Sequence, residues 1–267
     1  MVTSTPLFLP ALSLCQRELI RFVRQRSRII GALVTPIVFW LLIGGGMGRS
    51  FRAEGLPDGT NFIQYFFPGT VLMILLFTAI FSTISIIEDR KDGFLQGVLV
   101  APVSRMAIVL GKVLGGTVLA FGQGLLVLLL APAIGVRLSI SSLLLTMLVM
   151  LIVAFALTAL GFCLAWRMSS TQGFHAIMNL FLMPMWFLSG ALFPASGAMG
   201  GLGWVMRLNP LTYGLAALRR AMYWHDLPAS TTMPPFALSL GVTIAFAAAM
   251  FMLASAIAGR TTSADLQ

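Results

Sequence analysis

Six long apolar stretches, each ended by charged residues, glycine or proline, constrain this chain more than any other feature. They cover residues 29–48, 66–87, 113–133, 143–165, 176–193 and 236–258. A helix crosses the hydrocarbon core of a bilayer with about 20 apolar residues, and every stretch is close to that length. Only 9% of all residues are charged, whereas soluble domains carry about 25%. We therefore predict an all-α integral membrane protein, with six transmembrane helices in a single domain over residues 1–267.

The lysine and arginine residues predict which way the chain crosses the membrane. With the N-terminus in the cytoplasm, most of the 17 Lys and Arg residues lie on the cytoplasmic side. Positively charged loops tend to stay in the cytoplasm, so both termini are predicted to lie there. The net charge of +9 comes from basic residues near the ends of the stretches, where anionic lipid headgroups are close. The lipid bilayer is therefore the expected partner, and nucleic acid is not.

The segment before the first stretch, residues 11–28, has the pattern of an amphipathic helix. Apolar residues occupy one side of this helix, and arginines at helical spacing form a stripe on the other. The arginines are Arg17, Arg21, Arg24 and Arg28. Such a helix lies in the membrane interface, and two roles remain open for it. It is either a lipid anchor that sets orientation or a cytoplasmic collar that contacts a partner.

The segment between the fifth and sixth stretches, residues 194–235, is the longest external one. Within it, Asn209 has the position of an N-cap and Pro210 that of the first helical residue. A helix from Pro210 to Tyr223 is predicted, too short and, at Arg219, too polar to span the membrane. We expect this helix to cap the outer mouth of the protein.

The segment from Glu88 to Arg105, "EDRKDGFLQGVLVAPVSR", joins the second and third stretches. It opens with five charged residues and continues with an apolar stripe at helical spacing that ends at Pro102. The pattern favours a short cytoplasmic helix. By itself it leaves a plain loop and a docking element equally open.

Two sets of motifs resemble those of a known family. Glu88, Gly93, the run "LQGVLVAP" and the pair Gly111–Lys112 resemble the loop between the second and third spans of ABC-2 type permeases. These permeases are the membrane subunits of ATP-binding cassette exporters. The runs "LMPMWFLSGALFP" and "NPLTYGLAALR" are similar to the family's signature around the fifth span. The first motif looks most like the daunorubicin or multidrug branch.

The resemblance implies a permease subunit in the bacterial cytoplasmic (inner) membrane that exports a hydrophobic or amphipathic, drug-like or lipid-like substrate. Alternatives are a polysaccharide or lipo-oligosaccharide permease and a membrane scaffold that transports nothing. The single Gly–Lys pair lacks the other residues of a phosphate-binding loop, because Met106 stands at the first glycine position and Val113 follows the lysine. The chain is therefore not expected to be an enzyme or to bind a cofactor.

The partners implied by the resemblance are a separate ABC ATPase that holds ATP and Mg, and a second permease chain, identical or related. The residues expected to dock the ATPase are Glu88, Asp92, Gly93, Phe94, Leu95, Leu99, Pro102 and Arg105. Among them Phe94, Leu95 and Leu99 are expected to insert into a cleft of the ATPase. The acidic residues and Arg105 are expected to form a charged rim around it.

The substrate path is expected along the first, second and fifth spans. Its candidate residues are Phe39, Trp40, Phe77, Ser82, Asn179, Trp186, Phe187 and Ser189. The candidate external gate consists of Gly190, Phe193, Pro194, Asn209, Pro210, Tyr213 and Arg219. Small residues of the third span, Gly116, Ala120 and Gly124, are interpreted as a packing face, and His175 as a residue of the membrane edge.

Two other classes of membrane protein are disfavoured. Ion-coupled transporters usually carry acidic residues within their spans, and all 8 Asp and Glu residues lie outside the apolar stretches. An intramembrane enzyme would need a nucleophile beside a base, or a metal cluster, and neither pattern is present in the sequence.

Overall fold

A computed structural model describes residues 7–47, 61–193, 200–224 and 233–260, with only the backbone of residues 26–28 and 47. These residues form helices and short connections, and no strand occurs among them. The helices are α1 (Phe8–Arg24), α2 (Arg26–Met47), α3 (Phe62–Ser82), α4 (Ile84–Lys91), α5 (Phe94–Val100), α6 (Arg105–Leu128), α7 (Ile140–Ala165), α8 (Thr171–Trp186), α9 (Gly200–Leu208), α10 (Pro210–Met222) and α11 (Phe236–Arg260). The predicted all-α fold is confirmed.

Six helical segments are long and apolar enough to cross a membrane. They are Ile29–Gly46, Phe62–Lys91, Arg105–Ile134, Ile140–Ala165, Thr171–Ala191 and Phe236–Arg260. Each overlaps one of the apolar stretches, but the second and third helical segments extend several residues beyond theirs. Four of these spans begin directly after a residue whose side chain caps the helix, namely Asn61, Ser104, Ser139 and Ser170. Asn61, for example, forms a reciprocal capping box with Gln64 at the start of α3.

Helix α3 is the centre of the bundle. Almost all of its side chains are buried, including Phe66, Leu72 and Leu76 at 0% exposure. It packs against α2, α6, α7 and α10. A helix that is apolar on every side is stable only when other helices surround it or when lipid does. Here protein surrounds α3. A displacement of the elements joined to its two ends would therefore move α3 together with the neighbouring helices.

Helix α6 uses glycines on two faces to let other helices approach closely. A Cβ atom at Gly111 would lie 2.6 Å from the carbonyl oxygen of Ala11 in α1, and one at Gly115 would lie 2.7 Å from Glu18 Cβ. On another face, a Cβ atom at Gly124 would lie 2.6 Å from Met150 Cε of α7. The predicted small-residue face is therefore a packing face, and a second glycine face beside it holds α1.

Helix α10 differs from the predicted external cap. It begins at Pro210 after the N-cap Asn209, whose side chain accepts a hydrogen bond from the backbone N–H of Leu211 at 3.0 Å. It is, however, buried among α3, α7 and α11, and Gly214 lies beside Val153 near the middle of α7. Helix α10 thus lies within the bundle, whereas α9 is mostly exposed and only its Met206 is buried.

Candidate functional site

Six charged side chains from α1, α4 and α6 meet at one end of the bundle. This charge cluster consists of Arg17, Glu18, Arg21, Glu88, Asp89 and Lys112. Arg17 donates two hydrogen bonds to Asp89, with N···O distances of 2.7 and 2.9 Å. Arg21 donates to Asp89 at 2.6 Å and to Glu88 at 2.8 Å. Lys112 contacts both Asp89 and Glu18, the latter at 2.6 Å.

The charges of this cluster cancel, since three cations face three anions. Asp89 is completely buried and Lys112 is 5% exposed, so each charge depends on its partners for the solvation that water would supply. Burial by itself would lower the pKa of Arg17. The hydrogen bonds and charge of Asp89, together with the charges of Glu18 and Asp92, raise this pKa by more, so the net shift is upward. Arg17 therefore stays cationic and holds α1 against α4.

The sequence left two roles open for the arginine stripe, a lipid anchor and a collar that contacts a partner, and two of its members instead form ion pairs within the chain. Arg17 and Arg21 turn toward α4 because the carboxylates of Asp89 and Glu88 neutralise them. Arg24 is exposed, and the side chain of Arg28 lies outside the described residues. Sequence reasoning missed Glu18, Asp89 and Lys112 as site residues. In the sequence, each of them is a charged residue on a helix whose other positions are largely apolar or small. That pattern could have identified them.

Burial also raises the pKa of the Cys15 thiol in α1, and the nearby carboxylate of Glu18 adds to this effect. The thiolate is the reactive form, so a raised pKa slows alkylation at neutral pH. In a Cys163→Ser background we expect Cys15 to react with maleimide several-fold more slowly than a cysteine introduced by Ser13→Cys on the exposed side of α1.

The pH dependence of the two alkylation rates tests whether the raised pKa of Cys15 causes its slower reaction. Between pH 7 and 9 the rate for Cys15 should still be rising after the rate for the Ser13→Cys variant has begun to level off. If the two rates have the same pH profile, Cys15 is not buried between α1 and α6.

The predicted docking segment contains α5, which follows Gly93 in the left-handed conformation, with φ of 74°. Leu95 is 1% exposed and belongs to the core, so the expectation that it inserts into a partner is wrong. The Phe94 ring is covered by the Arg17 guanidinium at 3.7 Å, and Leu99 packs partly against the core. The exposed apolar edge of this segment consists of Val100, at 77% exposure, and Pro102.

The charged residues of the docking segment are unequally available. Glu88 is bound to Arg21 within the charge cluster. Asp92 has a side chain that is 67% exposed and lies 3.9 Å from the same arginine. Arg105 begins α6 and is half-buried. Of the predicted rim charges, Asp92 is therefore the one best placed to meet a partner.

A cavity of about 380 Å³ lies between α2, α3 and α8, with Phe22 of α1 and Ile84 of α4 also in its lining. Its lining is mostly aromatic or aliphatic and includes four polar side chains. The lining residues are Phe22, Gly31, Ala32, Thr35, Pro36, Phe39, Met73, Phe77, Thr78, Phe81, Ile84, His175, Asn179 and Met183. Three of the predicted path residues are among them: Phe39, Phe77 and Asn179.

The other predicted path residues have contacts within the protein: the two tryptophans join helices, and the rest bond or pack within their own segments. Trp40 donates its indole N–H to the carbonyl oxygen of Ile63 at 3.1 Å, and Trp186 donates to that of Gly69 at 2.9 Å. The hydroxyl groups of Ser82 and Ser189 bond to backbone oxygens within their own segments. Phe187 packs edge-on against Trp186, with ring centroids 5.2 Å apart. None of these five residues lines the cavity.

The predicted gate residues are gathered where α8 ends. Gly190, with φ of 89°, breaks the helical backbone of the fifth span, and its carbonyl oxygen accepts a hydrogen bond from Arg219 at 2.9 Å. Arg219 is 5% exposed and its guanidinium stacks on Tyr65 at 4.1 Å. This buried arginine ties α10 to α3 and to the end of α8, which explains why a charged helix enters the bundle.

The other described gate residues make separate contacts. Asn209 donates to the carbonyl oxygen of Met185 at 2.6 Å, and the hydroxyl group of Tyr213 donates to that of Arg207 at 2.9 Å. Phe193 is 37% exposed, and Pro194 lies outside the described residues. Among the described residues, no group of three His, Cys, Asp or Glu side chains could hold a metal ion.

The sequence profile of the ABC-2 type transporter family matches residues 11–223, which include most of α1, the charge cluster, the cavity and the Arg219 contact. This chain belongs to the ABC-2 type transporter family. Like other members it is a multi-pass membrane protein. The matched region ends just after α10, so α11 lies beyond it.

Several curated proteins are similar to this chain over most of its length. The putative transport permease ycf38 of Cyanophora paradoxa is 28% identical over 217 residues, covering 80% of this chain and 73% of that protein. Nodulation protein J of Rhizobium meliloti (strain 1021) is 25% identical, covering 88% and 86%. The inner membrane transport permease YadH of Escherichia coli (strain K12) is 22% identical, covering 90% and 91%. Two of these three names are those of transport permeases, consistent with a membrane subunit that is not itself an enzyme.

Proposed function

We propose that this chain is the permease subunit of an ATP-driven exporter, with a separate ABC ATPase as its motor. The exporter would lie in the bacterial cytoplasmic (inner) membrane and move a hydrophobic or amphipathic, drug-like or lipid-like molecule outward. The chain itself would bind no nucleotide, and ATP and Mg would be held by the ATPase. Family membership supports this assignment, since an ABC-2 permease implies an ABC ATPase partner.

The observation that carries the proposal is the position of the charge cluster. It connects α4, which leads into the docking segment, to α1 and α6 through buried ion pairs. A force applied to α5 would therefore reach α1, α3 and α6 together. Buried, paired charges transmit such a displacement well, because separating them in a medium of low dielectric constant is costly.

The cavity provides the substrate path in this proposal. Its walls come from α2, α3 and α8, and α3 is continuous with the helix that bears Asp89. Movement of α4 would change the width of the cavity by shifting its α3 wall. The end of the bundle with the charge cluster would face the cytoplasm, and both termini would lie on that side.

A second permease chain would complete the path. The exposed side of α8 carries Gln172, His175 and Asn179, and polar side chains of a span normally face protein or a water-filled path. A second copy, or a related permease, would lie across the path from this side and close it. The functional unit would then be two permease chains with two ATPases.

The proposal is tested by purification with the ATPase. A C-terminally tagged chain, expressed with its operon neighbours and extracted in mild detergent, should bring down an ATPase whose hydrolysis depends on the permease. Val100→Asp should remove most of this ATPase, because Val100 is 77% exposed and an unpaired carboxylate is costly to bury in an interface.

Two variants serve as controls. Val100→Leu keeps an apolar side chain and should retain the ATPase. Leu95→Asp places a charge in the core and should reduce the amount of folded protein as well. If no ATPase accompanies a folded, dimeric chain, or if Val100→Asp retains it fully, the docking proposal is wrong. The first of these outcomes favours a scaffold that transports nothing.

A further inference from the structure

We propose that the cavity between α2, α3 and α8 selects an amphipathic molecule with a neutral or anionic end group rich in hydrogen-bond acceptors. His175 and Asn179 would hold this end group, and Phe39 and Phe77 would contact the apolar body. This inference rests on the proposed function, since it names the substrate class of that permease.

The first argument comes from two polar side chains without protein partners. His175 and Asn179 lie one turn apart on α8 and both line the cavity. Neither forms a hydrogen bond with another described residue. Both side chains are exposed in the single chain, so neither is paired within it. A polar group left unpaired in a membrane span is costly. The second permease chain would lie across the path from α8, so a ligand in the cavity is the expected partner of this pair. The ring of Phe81 packs against His175 at 5.1 Å and restrains its orientation.

The second argument concerns charge. None of the described lining residues is acidic, so a cationic end group would find no counter-ion in the cavity. Imidazole and carboxamide groups both carry N–H donors, which suit carbonyl, carboxylate, sulfonate or phosphate oxygens. The Thr78 hydroxyl is committed to Gln123 at 2.5 Å. The remaining donors of the lining are His175 and Asn179 on α8 and the hydroxyl group of Thr35 on α2. An acceptor-rich end group is therefore favoured over a cationic one.

The third argument concerns orientation. His175 lies near the start of α8, on the side of the charge cluster, and Asn179 lies one turn further into the bundle. The aromatic residues Phe39 and Phe77 lie toward the middle of their spans, where Phe39 meets Trp186 with ring centroids 6.1 Å apart. A bound molecule would point its polar end toward the cytoplasmic face and its body toward the membrane centre. An amphiphile of the inner leaflet already has this orientation.

The experiment uses two probes with the same aromatic body. 1-Anilinonaphthalene-8-sulfonate carries an anionic end group, and N-phenyl-1-naphthylamine lacks it. The full-length chain in nanodiscs of phosphatidylcholine is titrated with each probe, and binding is followed by energy transfer from tryptophan, with empty nanodiscs as the blank. We expect the sulfonate probe to bind about tenfold more tightly, because its oxygens accept charge-assisted hydrogen bonds from α8.

The matched variant is His175→Phe with Asn179→Leu, which removes the donors while keeping apolar bulk. It should lose about tenfold in affinity for the sulfonate probe and less than twofold for the neutral one. Retained binding of the neutral probe shows that the variant is folded. If the variant binds the sulfonate probe as tightly as the unsubstituted chain does, His175 and Asn179 do not recognise the end group. If neither probe binds the unsubstituted chain, the cavity is not a ligand site.

A parallel assay separates this inference from the proposed function. Proteoliposomes with the ATPase are tested for ATP-dependent transport of the sulfonate probe. Selective binding without ATP-dependent transport contradicts the proposed function and leaves the ligand class of the cavity standing. ATPase coupling without selective binding contradicts the ligand class and leaves the exporter standing.

Discussion

Replacing Asp89 by asparagine is expected to lower the free energy of unfolding by about 3–5 kcal/mol, the usual cost of breaking a buried ion pair from one side. Asp89 is 0% exposed and contacts three cations, so its loss leaves Arg17, Arg21 and Lys112 short of a counter-charge. The measurement is an SDS titration of purified chain in mixed micelles, followed by tryptophan fluorescence.

Asp92→Asn is the matched control for this prediction. It removes the same charge one turn away, where the side chain is 67% exposed, and should change stability by about 0.5 kcal/mol or less. Adding Lys112→Met to Asp89→Asn removes one of the orphaned cations, so the double variant should be more stable than the sum of the single effects predicts. Equal stability of Asp89→Asn and Asp92→Asn would mean that water solvates the cluster and that it does not hold α1 against α4.

The cluster also matters for coupling, which gives Asp89→Asn a second readout. A permease whose α1 is no longer held to α4 should still bind the ATPase through Val100 and Pro102. Its substrate-dependent stimulation of ATP hydrolysis should nevertheless fall. Loss of ATPase binding in a folded Asp89→Asn variant would place the docking surface at the cluster itself.

Gly116→Ala in α6 has the second large expected effect, a loss of about 1–3 kcal/mol from overpacking. A Cβ atom at this position would lie 2.5 Å from Thr158 Cγ2 and would also clash with Ser82 Oγ. Neither side chain can easily move, since Thr158 donates to the carbonyl oxygen of Ala154 at 2.8 Å and Ser82 to that of Ala79 at 2.7 Å. The SDS titration described for Asp89 measures this loss.

Gly122→Ala in the same helix is the control, because no heavy atom lies within 4 Å of a Cβ atom built there. Alanine is favoured over glycine in a helix, so this variant should be as stable as the unsubstituted chain or more stable. If both substitutions have the same effect, the close contact of α6 with α3 and α7 is absent in the membrane.

Features that depend on neighbours in the chain were predictable. The six spans follow from the length of each apolar stretch, because hydrocarbon forces every backbone polar group of a span into a helix. The start of α10 follows from Asn209 and Pro210, since an N-cap and a proline at the first position act within one turn. The packing role of Gly116 and Gly124 follows from their spacing on one helix face.

Features that depend on distant residues were not predictable in the same way. In the sequence, Leu95 belongs to a short amphipathic pattern and is expected to be exposed. Only the packing of α5 against the bundle reveals that it is buried. Arg219 reads as a surface residue because its charge is visible in the sequence. The carbonyl oxygens of Gly190 and Tyr65 accept its hydrogen bonds from 29 and 154 residues away. The sequence does not show that they lie beside it.

The sequence by itself therefore determined that this chain is a helical membrane protein with six spans, and its motifs identified the family. Only the tertiary structure decided which charges are paired and which polar residues face a cavity. Arg17 and Asp89, 72 residues apart, belong to segments that each look like an ordinary membrane edge. Hydropathy and capping act over one or a few turns, whereas the partner of a buried charge is set by how helices pack, which no single segment encodes.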